Sequence, residues 1–233
     1  MIISVCIPCK NRIRDLVKIM PALIKSCKVS SPVEIMILDY GSEDELMNYV
    51  ESLKGKDFGK GNFVSYARFT GRKNYHMAHA YNLSVRCSVG DVVIILGTDI
   101  FVSEDYLSFI RKTFKDGAVW ACPTDLKGIV ACTRKEFDET GGYDERFELY
   151  GPEDKEFDLR LRRRGGKFRE VPDRMLSTIA TVRKDKYSNY RKITHKKRKR
   201  LMRAIFDENK RNNVLVVNKK EGWGRWFLRK DFE

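Results

Sequence analysis

"DVVIILGTDIFV", residues 91–102, runs through five consecutive aliphatic side chains, Val92 to Leu96, and then breaks into Gly97-Thr98-Asp99. A run this short and this unbroken is the pattern of a strand buried on both faces, as central strands of a parallel sheet are. The polar residues that follow it then fall at the carboxyl edge of the sheet, where open α/β sheets bind their ligands.

Outward from this stretch the same unit recurs. Residues 2–7, "IISVCI", read as a buried strand, and 11–28 place Ile13, Leu16, Ile19, Met20, Leu23 and Ile24 at helical spacing. Residues 33–38, "VEIMIL", predict a second strand, after which Ser42 is placed to cap a helix with acids in its first turn. Residues 62–69 predict a third strand, 75–87 a helix and 91–96 a fourth strand. Such alternation predicts an α/β fold with a mostly parallel central sheet and helices on both faces. Downstream come a helix over 103–114, short strands near 118–122 and 128–132, a turn at Gly141-Gly142, a helix whose first position is Pro152, and a strand over 175–182. From Arg183 onward the chain turns strongly basic. Residues 1–182 are thus expected to form one domain and 183–233 a basic, mainly helical extension.

With 233 residues and 42% hydrophobic content the chain can bury one sizeable core. No apolar run is long enough to span a bilayer and no signal-peptide pattern follows Met1, which predicts a cytoplasmic protein, with peripheral membrane contact left open. Six cysteines in mostly apolar segments read as reduced thiols, and Cys6-Ile-Pro-Cys9 lacks the second pair that a zinc site needs. His76 and His79 share a helical face but have no third ligand nearby. The net charge of +14 predicts attraction to a polyanion: nucleic acid, an anionic membrane or an acidic glycan.

The strand ends assemble a polar rim: Pro8, Lys10, Asn11 and Arg12 after the first, Asp39, Gly41, Ser42 and Asp44 after the second, and Gly97, Thr98 and Asp99 after the fourth. A carboxylate at such a position can accept from a base or ribose, and Asp99 can hold a divalent metal together with a diphosphate.

These stretches resemble glycosyltransferase family 2 and its relatives of the GT-A fold, a Rossmann-like architecture. "ISVCIPCKNR" is similar to the family's opening strand and nucleotide loop, "EIMILDYGSED" to the segment whose first Asp holds the base, and "AHAYNLSVRCSVGDVVIILGTDIFV" to the Asn-bearing helix leading to the metal motif. "FDETGGYDERFELYGPEDKEFDLRLRRRG" is similar to the acceptor loop and acid pair of galactosyltransferase-like and chondroitin-polymerase-like members. The resemblance covers roughly residues 2–182.

What the resemblance implies is a nucleotide-sugar-dependent, inverting transferase with a UDP-sugar as donor. Pro8, Asn11, Arg12, Asp39, Gly41, Ser42, Asn82, Thr98 and Asp99 would bind the donor. Asp154 would be the general base that takes the acceptor proton, with Glu153 as its neighbour and acceptor ligand. Adjacent carboxylates raise one pKa while a helix N-terminus lowers it, and the sequence leaves that balance open. Tyr150, Arg146 and Gly151 would line the acceptor pocket. The family's D-x-D stands here as Gly97-Thr98-Asp99, and its later metal-binding His falls near Thr178. A Mg²⁺ or Mn²⁺ on Asp99, with His195 as a substitute ligand if the basic segment folds back, is the first reading. Stabilisation of the leaving group by Arg or Lys is the second.

Residues 187–212 place Tyr190, Ile193, Leu201, Met202, Ile205 and Phe206 on one side of an expected helix, among Lys196, Lys197, Arg198, Lys199 and Arg200. One reading is a solvated face. A second is a clamp on DNA, with Tyr187, Tyr190 and "GWGRWFLRK" stacking; the acceptor is then a hydroxymethylated pyrimidine, as in bacteriophage DNA modification. A third is an anionic membrane carrying a lipid-linked saccharide, with Trp223, Trp226 and Phe227 entering the interface. Dense cations without a long apolar face favour DNA over membrane. A non-catalytic module that binds a sugar nucleotide or nucleic acid is a further alternative, suggested by Gly97.

Overall fold

The computed structural model describes residues 1–125, 128–179, 188–219 and 223. Four strands build its parallel half: β1 (Ile3–Cys9), β2 (Val33–Asp39), β3 (Phe63–Arg68) and β4 (Val92–Ile95). The antiparallel β7 (Val130–Thr133) then continues the sheet through β6 (Trp120–Cys122) to β8 (Phe168–Glu170). The order among the described residues is β3-β2-β1-β4-β7-β6-β8. Sheet alternation divides the apolar residues into two cores. Ile3, Val5, Ile7, Ile35, Ile37, Val92 and Ile94 face one side, and Cys6, Met36, Leu38, Val93 and Ile95 face the other.

The first core is covered by α1 (Ile13–Lys28), α2 (Leu46–Glu51) and α4 (Tyr106–Lys115). The second is covered by α3 (Met77–Cys87), α5 (Arg134–Thr140), α6 (Glu153–Arg164) and α7 (His195–Arg211). The α/β alternation and the helices on both faces agree with the sequence reading. So does the chemistry of the thiols: all six cysteines are unbridged, and burial pushes Cys6 up to about 12. His76 and His79 serve the fold. The His76 ring accepts from the His79 N–H at 3.2 Å, and His79 Nδ1 lies 2.8 Å from the Tyr40 hydroxyl. Burial holds their pKa values down, to about 4 and about 3.

Several local expectations are corrected. Ser42 does not cap α2: its hydroxyl accepts from the Asn11 N–H at 3.0 Å, and the helix starts only at Leu46. Pro152 is the cap residue before α6, one position ahead of its expected place. The described residues from Ser188 to Ile193 are not helical. The helix begins at His195 behind Thr194, whose side chain accepts from the Lys197 N–H. Four elements were not foreseen: α5, β8, a 3-10 turn over Asp173–Met175, and β5 (Ile100–Val102), which forms a separate antiparallel pair with β9 (Leu176–Thr178). Three-residue strands leave too little periodicity to read.

The basic helix α7 is tied into the molecule by a buried polar network. Arg160, 1% exposed, pairs with Glu156 at 2.9 Å and donates to the carbonyls of Thr140 and Gly142. Asn209 of α7, also 1% exposed, donates to Glu156 and Asp144. Arg146 closes the network from the loop, bonding Asp144, Asn209 and Glu208. The Asp144 carboxyl is pushed up by burial, but the bonds from Arg146 and Asn209 outweigh this and hold it below the usual range. Removing one partner of a buried ion pair strands the other charge, so Arg160→Met is expected to destabilise the fold by about 3–5 kcal/mol. Asn209→Ala is expected to cost about 1–3 kcal/mol. Urea unfolding of both variants checks the order.

Candidate active site

Strand register brings the polar rim together. β1 pairs in parallel with both neighbours, Cys9 opposite Asp39 and Cys6 opposite Ile95, so the segments after β1, β2 and β4 leave the sheet at one edge. Antiparallel β7 places Val130 opposite Ile95, which brings the residues just before β7 to the same edge.

A cavity of about 690 Å³ opens there, within the range of small-molecule sites. Pro8, Lys10 and Arg12 line it from the β1 loop, and Gly97, Thr98 and Asp99 from the end of β4. The start of α6 contributes Tyr150 to Lys155, including both Glu153 and Asp154. Helix α7 closes it with His195, Arg198, Lys199, Met202 and Arg203. Tyr75, Tyr81 and Tyr190 supply aromatic surface, with Tyr190 set edge-on to Tyr75 at 5.5 Å.

The two acids of α6 are not equivalent. Glu153 is 4% exposed and its carboxylate accepts from the Gly151 N–H at 3.0 Å, so it braces the turn that starts the helix. Asp154 is less covered and faces the cavity. Burial raises its carboxyl above the usual range, against the lowering pull of the Lys155 N–H. Gly151 is where α7 touches this turn: a Cβ on it would lie 2.7 Å from Met202 Cβ.

Asp99 accepts from Arg12 at 3.4 Å, and Arg12 also bonds Asp15 at 2.6 Å. Segment 188–190 is stapled onto the β1 loop: the Asn189 amide donates to the Lys10 carbonyl and accepts from Asn11, and the Asn189 carbonyl accepts from the Tyr75 N–H.

Other expected residues lie outside this lining. Asn82 is fully buried, and its amide is spent on the 143–145 loop: it accepts from the Tyr143 N–H at 2.8 Å and donates to the Tyr143 carbonyl and to Glu145. Its position shapes the acid-bearing segment and does not reach the cavity. Arg146 likewise belongs to the buried network. Asp39 is 1% exposed, accepting from the Ser42 N–H and the Tyr66 hydroxyl. Asn11, Gly41 and Ser42 fix the adjoining loops, Asn11 and Gly41 with positive φ. Trp223 packs on Phe137 under the Arg86 guanidinium, with its ring engaged in the fold; Tyr187, Trp226 and Phe227 lie outside the described residues. The sequence reading assigned no role in the cavity to Tyr75, Tyr81, Arg198, Lys199 or Arg203. Spacing on α7 held a signal, because 195, 198, 199, 202 and 203 fall on one helical face.

Residues 4–147 match the profile described as glycosyl transferase family 2. The chain belongs to that family. Residues 121–196 also match the profile described as the N-terminal domain of galactosyltransferase. Among solved structures, this family 2 chain is similar to TarS 1–349 of S. aureus in complex with UDP-GlcNAc, with TM-score 0.67 and 13% identity over 96% of this chain and 69% of that one. It is similar to the mannosyltransferase PcManGT of Pyrobaculum calidifontis, in complex with GDP-Man and Mn²⁺, with TM-score 0.59 and 16% identity over 73% of this chain. It is also similar to the Drosophila β1,4-galactosyltransferase 7 with manganese, UDP-Gal and xylobiose, with TM-score 0.58 and 13% identity over 96% of this chain and 83% of that one. These likenesses give the fold as GT-A. The chain spans 55% of the mannosyltransferase's length. Comparison with curated protein sequences returns no match.

For a divalent ion the donor set falls short. Asp99 and His195 line one cavity, but no three His, Cys, Asp or Glu side chains come together among the described residues. Asp99 is engaged by Arg12, and Gly97 brings no carboxylate. The described side chains do not make a preformed metal site.

Two outcomes follow from this geometry. Gly151→Ala is expected to push α7 off the α6 turn and lower the melting temperature, since the new methyl meets Met202 backbone-proximal atoms. Because Asp154 acts as a base only when ionised and its pKa is raised, the acidic limb of any activity it supports should lie above the ordinary aspartate value of about 4. A pH–rate profile of kcat/KM checks this.

Proposed function

We propose that this family 2 member transfers a sugar from a nucleoside diphosphate donor, a UDP-sugar, to an acceptor hydroxyl by single displacement with inversion. The observation that carries the reading is the placement of Asp154 and Asp99 on one cavity, together with the loop after β1. The acceptor oxygen attacks the anomeric carbon as its proton passes to Asp154. The anomeric C–O bond to the phosphate breaks, and its electron pair leaves with the nucleoside diphosphate. Glu153 holds the turn that aims Asp154. Pro8, Lys10 and Arg12 flank the nucleotide, Asp99 stands at its diphosphate end, and Tyr150, Gly151 and Tyr190 border the acceptor. No step is assigned to a metal ion.

For the acceptor, DNA carrying a hydroxymethylated pyrimidine is favoured. Lys197 and Arg200 are exposed on the helix that lines the cavity, where the phosphates flanking a target base would pass, and Trp223 is packed on Phe137 beneath Arg86 instead of being offered to a lipid interface. No helix among the described residues is long and apolar enough to cross a membrane.

A panel of nucleotide sugars is incubated with the protein, with and without hydroxymethylated duplex DNA, and nucleoside diphosphate release is followed. The expected result is DNA-stimulated release from one UDP-sugar, reduced by about 10²–10⁴-fold in Asp154→Asn. Release stimulated by anionic liposomes bearing a lipid-linked saccharide and not by DNA would move the acceptor to the membrane. Binding without turnover of any donor would reduce the chain to a sugar-nucleotide module.

A further inference from the structure

Helix α7 turns one cationic face to the cavity. His195, Arg198, Lys199, Met202 and Arg203 follow the i, i+3, i+4, i+7, i+8 pattern of a single helical stripe, and all of them line it. Lys196, Lys197 and Arg200 of the same helix are exposed and do not. The helix therefore spends charge on the cavity in addition to the charge it gives to solvent.

That choice works against the helix itself. The N-terminal end of a helix carries partial positive charge and is stabilised by acidic side chains, whereas cations belong at the other end. The first turn of α7 has no acid and opens His195-Lys196-Lys197-Arg198. An anion lying against this end would relieve both the dipole and the mutual repulsion of the side chains.

The end of β4 is built to match. Gly97 stands where a second carboxylate would gather a divalent ion, and a Cβ there would lie 2.9 Å from Asp99 Oδ1. Asp99 is thus accommodated by the lack of a side chain at 97 and is held by Arg12. Among the described residues, the cavity into which this strand end opens is lined by the cations Lys10, Arg12, Lys155, Arg198, Lys199 and Arg203.

We infer that the donor's diphosphate is held by the α7 stripe, chiefly Arg198 and Lys199, together with Arg12, and that these side chains take the place of a resident divalent ion. The inference rests on the transferase reading above and deepens it. When the anomeric C–O bond breaks, the departing diphosphate gains a negative charge, and fixed guanidinium and ammonium groups stabilise it there without reorganisation.

Binding of UDP is measured by calorimetry in EDTA and again with Mn²⁺, for the full chain and for Arg198→Gln, Lys199→Gln and, as a control of equal charge change off the stripe, Lys196→Gln. The expected result is UDP binding in EDTA that changes by less than about two-fold on adding Mn²⁺. Arg198→Gln and Lys199→Gln should each weaken it by about ten-fold, which is about 1.4 kcal/mol, and Lys196→Gln should leave it unchanged. Binding that requires Mn²⁺, or that is indifferent to Arg198 and Lys199, overturns the inference. Donor turnover is read in parallel: turnover that demands Mn²⁺ removes the inference and leaves the transferase reading standing. UDP bound in EDTA through Arg198 and Lys199, with no turnover of any donor, supports the diphosphate site and removes the transferase reading.

Discussion

A guanidinium as fully enclosed as that of Arg160 survives in a core only if its hydrogen bonds are met, because an unpaired buried charge costs several kcal/mol. Arg160 meets this demand by binding Glu156 and the carbonyls of Thr140 and Gly142, which joins α6 to the end of α5 and to the loop that follows. Asn209 then attaches α7 to the same Glu156 and to Asp144. The acid-bearing start of α6, the loop before it and the basic helix are consequently one mechanical unit. From the sheet side Asp154 is met by the Gly128 N–H, just before β7. Its aim toward the cavity is set as well by polar bonds made at Glu156 and Arg160, within two turns further along α6.

The cavity inherits two different kinds of wall from this arrangement. One comes from loops at the carboxyl edge of parallel strands, positioned by sheet register and the Asn189 staple. The other comes from two helices held by the buried network. Charges segregate between the walls only in part: Arg12 already balances Asp15 and Asp99, while Lys199 and Arg198 stand on α7. Burial on the α6 side raises the pKa of Asp154. A carboxylate that is harder to ionise is also a stronger base once ionised, which is the compromise a proton acceptor near neutral pH requires.

The parallel half of the sheet was legible because strands buried on both faces write unbroken aliphatic runs, as Val92 to Leu96 does, and because the polar residues after them are forced to one edge. The acids of α6 were legible through the resemblance of "GGYDERFELYGPED". What could not be read was the use of individual polar side chains. Asn82 and Arg146 are of residue types that bind ligands as readily as they satisfy loops, and only the fold reveals that their hydrogen bonds close on Tyr143, Asp144 and Asn209. Ser42 offered a capping pattern, but the backbone N–H of Asn11 reached it first. The basic segment read as a charge run because sequence spacing gives a stripe no address; α7 acquires one by packing Met202 against Gly151.

That last contact has a consequence for the order of events during synthesis. Residues from positions 8 to 203 share one cavity, so its inner surface is not complete until α7 emerges from the ribosome and docks. A nascent chain that has finished its sheet holds only an open trough. Enclosure of a ligand is thereby deferred until α7 has been made and has docked.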